Sequence, residues 1–423
     1  MVFLLSKENW YLDFVDLSYT PKSTDIIVTY YVEPTEGLSL EEAAGRVASE
    51  SSVGTWTTLT EIPARVKNLM AKVFEMSGNI IKVAYPIDLW EYGNISQLLS
   101  GIAGNIFGMR AVKNLRLLDF HLPKDYLKHF RGPQFGIEGV RRFLKIQKRP
   151  ITATVPKPKI GYDVDEFARV AYEIWSGGVD LVKDDENLTS LAFNKFEERL
   201  EKVLKMRDQV EDETGERKSY LVNITGETKE MEKRAKMVAD MGGEYVMIDI
   251  ITTGWSALQT MREVCQDLKL AIHAHRAMHA AFTRNEKHGI TMLVIAKLAR
   301  LVGVDQIHTG AILGKLEAKE EEVLKINNFL RSAWHYIKPT FPVASGGLHP
   351  GLIPDLLDIS KSLDLVIQVG GGVFGHPDGV KAGAKAVRQV IEAYLDGISI
   401  QEAAREYKEL AEALRKWGDL RPI

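Results

Sequence analysis

From Pro150 onward, short apolar runs alternate eight times with amphipathic helical stretches, and this repeat restricts the chain to very few architectures. The runs are Ile151 to Val155, Val179 to Lys183, Tyr220 to Thr225, Tyr245 to Ile250, Leu270 to His275, Gln306 to Thr309, Pro342 to Ser345 and Leu365 to Gly370. The helical stretches that follow them are Val164 to Trp175, Phe193 to Glu211, Lys229 to Met241, Ala257 to Leu268, Ile290 to Leu301, Lys319 to His335, Leu352 to Ser360 and Val380 to Leu395. Continuous apolar runs suit parallel strands buried on both faces, and eight strand–helix units predict a (β/α)8 barrel. Reactive groups in that fold sit at the carboxyl ends of the strands, so polar and glycine residues belong where the runs end.

They stand there. Lys157 and Lys159 follow the first run, Asn223 falls in the third and Asp249 in the fourth. The fifth brings His273, His275, Arg276 and His279, the sixth His308 and then Lys315. Ser345, Gly346 and Gly347 end the seventh, and Gln368, Gly370, Gly371 and Gly372 the eighth. Glycines after the last two strands suit phosphate binding through backbone amides, and Arg276, His308 and Lys315 suit a second anionic group. The ligand reads as doubly anionic.

The second run carries the densest chemistry, Gly178-Val179-Asp180-Leu181-Val182-Lys183-Asp184-Asp185-Glu186-Asn187. A charge run is usually a solvated loop. Here it begins where a buried strand should end, and Asp185 and Glu186 are hard oxygen ligands of the kind magnesium prefers. The Lys183 ammonium would repel the metal, whereas a carbamate formed on it from carbon dioxide would supply a third oxygen ligand.

Residues 1–130 read differently. Asp25 to Glu33 alternates as a strand, Ser39-Leu40-Glu41-Glu42 has capping-box spacing for a helix to about Val47, and Asn79 to Ile87 reads as a strand. A helix over Ile95 to Ile102 leads to a strand near Leu115 to Phe120. This mixture predicts an α+β domain of ferredoxin-like type over 1–130, with the barrel over 131–423 and one short helix in the connector from Phe130 to Arg149.

With 54 basic and 57 acidic residues and a net charge of -3, the chain has no electrostatic footprint for nucleic acid or an anionic membrane. No run approaches about 18 apolar residues, and no basic segment precedes an apolar stretch at the N-terminus, so a cytoplasmic protein is expected. The one cysteine, Cys265, falls in a helical run and reads as a buried structural thiol.

Two motifs invite other readings. Gly370-Gly371-Gly372-Val373-Phe374-Gly375 satisfies a dinucleotide fingerprint, but it follows the last strand and no second βαβ half remains. His273-Ala274-His275 with His279 resembles a zinc cluster, and a metal-dependent amidohydrolase barrel combines an HxH strand with a carbamylated lysine. There the HxH pair precedes the lysine; here the order is reversed.

Read together, the motifs resemble the large chain of ribulose-1,5-bisphosphate carboxylase/oxygenase over nearly the whole length. Lys157-Pro158-Lys159-Ile160-Gly161, Gly177 through Asn187, His275-Arg276-Ala277-Met278-His279, His308 through Glu317 and Ala344-Ser345-Gly346-Gly347 match in order. So do Glu50-Ser51-Ser52, Gly54-Thr55-Trp56-Thr57-Thr58 and Gly104-Asn105-Ile106-Phe107-Gly108, segments that family members lend to a neighbouring subunit's site.

The resemblance implies Mg2+ held by Asp185, Glu186 and a Lys183 carbamate, with Lys157 as acid/base for enolisation and final protonation and His275 as a further proton-transfer group. Lys159, Arg276, His308, Ser345, Gly346, Gly347, Gln368, Gly370 and Gly371 would bind ribulose 1,5-bisphosphate. Lys315 would close over it on a mobile loop, and Glu50, Thr55, Trp56 and Asn105 would complete the pocket from the partner. Carbon dioxide and oxygen are the implied co-substrates, and a homodimer at least, with scope for larger rings and no small subunit, is the implied assembly. Val155 and Pro156 before Lys157, and the ending Arg421-Pro422-Ile423, look like the archaeal form III branch, whose implied role is AMP and nucleoside salvage. The rival readings are an enolase or isomerase relative acting on a methylthio sugar phosphate, and a non-catalytic sugar-phosphate binding protein.

Overall fold

The eight apolar runs close into a barrel in the computed structural model, which describes residues 10–57, 63–313, 319–418 and 420–422. In the N-terminal part, β1 (Ile26–Pro34), β2 (Lys72–Ser77), β3 (Ile80–Tyr85) and β4 (Val112–His121) form an antiparallel sheet in the order β4-β1-β3-β2. With the helices Leu40–Glu50 and Ile95–Ile102 inserted after β1 and β3, this is the ferredoxin-like βαββαβ order. The Leu40–Glu50 helix starts at a reciprocal cap: Ser39 Oγ accepts from the Glu42 amide at 3.1 Å, and the Glu42 carboxylate accepts from the Ser39 amide at 2.8 Å. Strand β2 was not expected; its lysine, glutamate and serine leave only a short, half-buried edge pattern.

The barrel strands are β5 (Ile151–Thr154), β6 (Leu181–Lys183), β7 (Ser219–Asn223), β8 (Tyr245–Asp249) and β9 (Ala271–His275) and, after a two-residue strand β10 (Gly289–Ile290), β11 (Gln306–His308), β12 (Phe341–Ser345) and β13 (Val366–Gln368). All eight pair in parallel, and β13 closes on β5 through Val366 opposite Ile151. Every residue of β5 to β8 is buried, as strands flanked on both faces require. The expected connector helix, Gly136–Leu144, packs Ile137, Val140 and Leu144 against the first residues of the strands: Ile151, Leu181, Tyr245, Ala271, Phe341 and Val366. Each buried leucine, isoleucine, valine or phenylalanine among them contributes about 1.5–3 kcal/mol, and together they seal the amino end of the barrel.

The chain forms two compact units, the described residues of Met1–Phe130 with Met278–Leu298, and those of Arg131–Ala277 with Ala299–Ile423. The division expected at residue 130 is therefore not a clean cut in sequence, because Met278–Leu298 falls with the first unit. The physical reason is strand pairing: β10 adds in parallel to β4, with Gly289 opposite Arg116 and Ile290 opposite Leu117. Lys297 Nζ reinforces it at 2.6 Å from Asp119 Oδ1. Cys265 is buried and unpaired, and among the described residues no helix is long and apolar enough to cross a membrane.

Candidate active site

Strand β6 distributes its charges by alternation. Asp180, before the strand, is bound at the barrel's amino end by Arg149 at 2.6 Å and by the Thr152 amide at 2.8 Å. Asp184 turns to the helix Phe196–Thr214, where Arg199 Nη2 lies at 3.1 Å; Tyr220 Oη donates to its other oxygen at 2.5 Å, and the Asn223 amide donates at 2.9 Å. Lys183, Asp185 and Glu186 are left at the mouth. Asn223 Nδ2 holds the turn by donating to the carbonyls of Asp185 at 3.3 Å and Glu186 at 3.0 Å.

Lys183 is buried, its Nζ donating to the Asp184 carbonyl at 2.7 Å and lying 4.0 Å from Glu186 Oε2. Burial lowers its pKa despite the carboxylates of Glu186, Asp185, Asp249 and Asp184 around it. Lys157 reaches in from the end of β5, with Nζ 3.3 Å from Asp185 Oδ2. His275, at the end of β9, is oriented through Nδ1, which lies 2.6 Å from Asp249 Oδ1 and 3.2 Å from the Ala277 amide nitrogen. Nε2 faces Glu186 Oε2 at 3.6 Å. Buried His308 stacks edge-on to His275 with ring centroids 4.9 Å apart, and its Nδ1 meets Ser345 Oγ at 2.7 Å.

Ser345 is the register partner of Gln368 on β13, whose Oε1 is buried without a hydrogen-bond partner. Such an acceptor at a barrel mouth is a place for a ligand's hydroxyl. After β12, Gly346 and Gly347 hold φ of +109° and +80°, conformations that favour glycine and turn the backbone out of the strand. Gly370 lies beside Lys157: a Cβ there would stand 3.7 Å from Lys157 Cε. Gly371 opens the one-turn helix Gly371–Phe374. Arg276 is buried next to Gly310, and burial pulls its pKa down to about 10.

Other expected residues stand apart from this group. Lys159 is exposed and makes no ion pair among the described residues. Lys315 lies outside the described residues. Glu50 and Thr55 are half-buried, Asn105 is exposed, and Trp56 is 81% exposed, all in the first unit. Sequence reasoning put Asp249 at the rim with no role and missed Arg199 and Tyr220, whose helix and strand positions carry no sign that they converge on Asp184.

Among the described residues, no three His, Cys, Asp or Glu side chains are grouped to hold a metal ion. The zinc reading of His273 and His275 has no support in this geometry: one is committed to Gln306 and His308, the other to Asp249. Two hard carboxylates with a buried lysine of depressed pKa fit a divalent cation of the magnesium type once that lysine becomes an anionic carbamate.

A parallel eight-stranded barrel with a buried lysine, carboxylates and histidines converging at the strand ends is the active-site arrangement of the TIM-barrel enzymes. Residues 136–417 match the family model described as ribulose bisphosphate carboxylase large chain, catalytic domain, and residues 13–126 match the N-terminal domain of the same large chain. The chain belongs to the ribulose bisphosphate carboxylase large-chain family, a family of lyase-type carboxylases. It is 64% identical to the ribulose bisphosphate carboxylase of Pyrococcus furiosus over 98% of this chain and 100% of that one. It is similar to the octameric enzyme of Pyrococcus horikoshii solved with sulfate, at a TM-score of 0.94 and 61% identity over 99% of both chains. The dimeric archaeal enzyme of Hyperthermus butylicus is similar at a TM-score of 0.92 and 51% identity, over 97% of this chain and 99% of that one.

Proposed function

We propose that this chain is a ribulose-1,5-bisphosphate carboxylase that adds carbon dioxide to the enediolate of the sugar and cleaves the product to two molecules of 3-phosphoglycerate. The observation that carries the reading is buried Lys183, its pKa lowered, beside Asp185 and Glu186, with Lys157 3.3 Å from Asp185. A depressed pKa raises the fraction of neutral amine, the form that attacks carbon dioxide.

Lys183 as carbamate, Asp185 and Glu186 would hold Mg2+, which when bound supplies Lewis-acid polarisation of the sugar's carbonyl and hydroxyl oxygens. Lys157 takes the proton whose loss gives the enediolate and returns one to the carbanion left by carbon–carbon cleavage. His275, oriented by Asp249, serves proton transfer during hydration. Gly346, Gly347, Gly370 and Gly371 bind one phosphate through backbone amides, while Arg276 and His308, with Lys159, bind the other end. Ser345 binds an anionic oxygen of the substrate, Gln368 binds a sugar hydroxyl through its unpartnered Oε1, and Lys315 stabilises the new carboxylate.

The same site admits oxygen in place of carbon dioxide, and the role we assign is AMP and nucleoside salvage in an archaeal cell. The assembly is a homodimer at least, as the octameric and dimeric relatives suggest, with residues 1–130 lending Glu50, Thr55, Trp56 and Asn105 to the neighbouring barrel of 131–423. The test supplies ribulose 1,5-bisphosphate, magnesium and labelled bicarbonate to the wild type, Lys183→Ala and Lys315→Ala. Label in 3-phosphoglycerate, lost in both variants, is expected. A preincubated wild type that yields no labelled product overturns the reading in favour of an enolase relative acting on methylthio sugar phosphates.

A further inference from the structure

Five side chains run hydrogen-bonded through the barrel from its sealed interior to its mouth. Tyr245 Oη donates to Gln306 Oε1 at 3.0 Å, and Gln306 Nε2 lies 2.7 Å from His273 Nδ1. His273 Nε2 lies 2.8 Å from His308 Nε2, and His308 Nδ1 lies 2.7 Å from Ser345 Oγ. Tyr245, Gln306 and His273 are wholly buried, and His308 is nearly so.

Two ring nitrogens at hydrogen-bond distance need one proton between them, and the far end of the chain decides which carries it. Burial holds the Tyr245 phenol well above its ordinary pKa, so it keeps its proton and must donate it. Its only hydrogen-bond partner among the described residues is the amide of Gln306. The amide oxygen therefore faces Tyr245, and the amide nitrogen donates to His273 Nδ1. His273 can then carry its proton only on Nε2, which donates to His308 Nε2. His308 must carry its own on Nδ1, which donates to Ser345 Oγ. Burial keeps both imidazoles neutral by pushing their pKa values well below normal, so the tautomers are single and ordered.

We propose that Tyr245 and Gln306 are positioning residues that fix His308 as the Nδ1–H tautomer, so that Ser345 accepts from His308 and keeps its own hydroxyl proton to donate to an oxygen of the anionic substrate. The inference rests on the barrel mouth being the bisphosphate site. With the opposite tautomer, Ser345 would give its proton to His308 and present only lone pairs to an anion, which repel it. A hydroxyl in the floor of the barrel thus determines whether the serine at the mouth attracts or rejects substrate. Tyr245 and Gln306 need not touch the ligand.

The test has two arms. Neutron diffraction from deuterium-exchanged wild-type crystals is expected to show deuterium on His273 Nε2 and His308 Nδ1; deuterium on His308 Nε2 overturns the proposal. In kinetics, Tyr245→Phe and Gln306→Met are each expected to raise KM for ribulose 1,5-bisphosphate by about tenfold or more, the scale of one hydrogen bond to a charged group, with a much smaller change in kcat. The effect should vanish when either change is made on a Ser345→Ala background. An equal effect on that background would reduce Tyr245 and Gln306 to packing and overturn the proposal. If the wild type does not turn over the bisphosphate, the proposed function fails, and the neutron map alone judges the tautomer.

Discussion

Arg199 Nη2 and Asp184 Oδ2 form an ion pair at 3.1 Å from which solvent is wholly excluded, each side chain having no exposed surface. Asp184 adjoins both Lys183 and Asp185, so this pair, with Tyr220 and the Asn223 amide, fixes the backbone on which the candidate metal ligands stand. Removing one partner strands a buried charge. Arg199→Met is expected to destabilise the protein by about 3–5 kcal/mol. Tyr220→Phe, which removes one hydrogen bond to the same carboxylate, is expected to cost about 1.5–3 kcal/mol. Chemical denaturation measures both, and an Arg199→Met protein as stable as the wild type would show that the pair does not anchor the turn.

Why this anchor was hidden, while the site above it was legible, follows from what a sequence encodes locally. Lys183, Asp185 and Glu186 interrupt an apolar run, and a charge at a strand end is visible without knowing its neighbours. The barrel itself was readable because each strand is buried on both faces and each helix on one, which writes two different periods into the chain. Arg199 looks like any basic residue on an amphipathic helix; only the closed barrel brings it to Asp184. Tyr245 and Gln306 lie 61 residues apart, and neither pattern announces a hydrogen bond between them. The excursion 278–298 was invisible for the same reason: β10 is two residues long, too short to show alternation.

Stability should fall as the pH drops below neutrality. His273, His308 and His349 all have pKa values held below the ordinary imidazole value by burial. The unfolded chain takes up protons at about pH 6.5 that the native chain refuses. With more protons bound when unfolded, stability rises with pH through this window, is complete above about 6.5, and is lost on going down at up to about 1.4 kcal/mol per pH unit for each histidine. Denaturation curves between pH 7 and pH 5 measure the slope. His349→Gln, away from the proposed site, is expected to make it shallower, and an unchanged slope would remove His349 from the account.

Trp56 is 81% exposed, unusual for so large an apolar side chain. If it completes a partner's pocket, Trp56→Ala should leave the melting temperature of the protein nearly unchanged yet depress carboxylation. Complementation is the sharper test. Lys183→Ala damages a site from within its own chain, Trp56→Ala from the neighbouring one. A mixed dimer therefore has one doubly damaged site and one intact site. Co-expression of the two damaged variants is expected to give intact sites worth roughly a quarter of the wild-type activity, from random pairing within a two-fold assembly. No recovery in verified mixed dimers would place Trp56 in its own chain's site or in none.

The proposed metal site carries a dependence that separates it from an ordinary carboxylate site. On that proposal Asp185 and Glu186 would supply two ligand side chains, and the Lys183 ammonium, 4.0 Å from Glu186, would be a poor neighbour for a cation until it reacted. The magnesium affinity of the free protein should therefore depend on carbon dioxide, and calorimetric titration with Mg2+ should show strong binding in bicarbonate-equilibrated buffer and weak binding in buffer purged of it. Lys183→Met should bind Mg2+ weakly under both conditions, because no carbamate can form. Asp185→Asn should weaken binding under both, through a lost charge rather than a lost response, and it should retain a residual bicarbonate effect. Carbamate formation consumes neutral amine and releases a proton, so at fixed carbon dioxide pressure the effect should also grow as the pH rises. Tight Mg2+ binding by purged wild type would show that the two carboxylates suffice, and the role assigned to Lys183 would have to be abandoned.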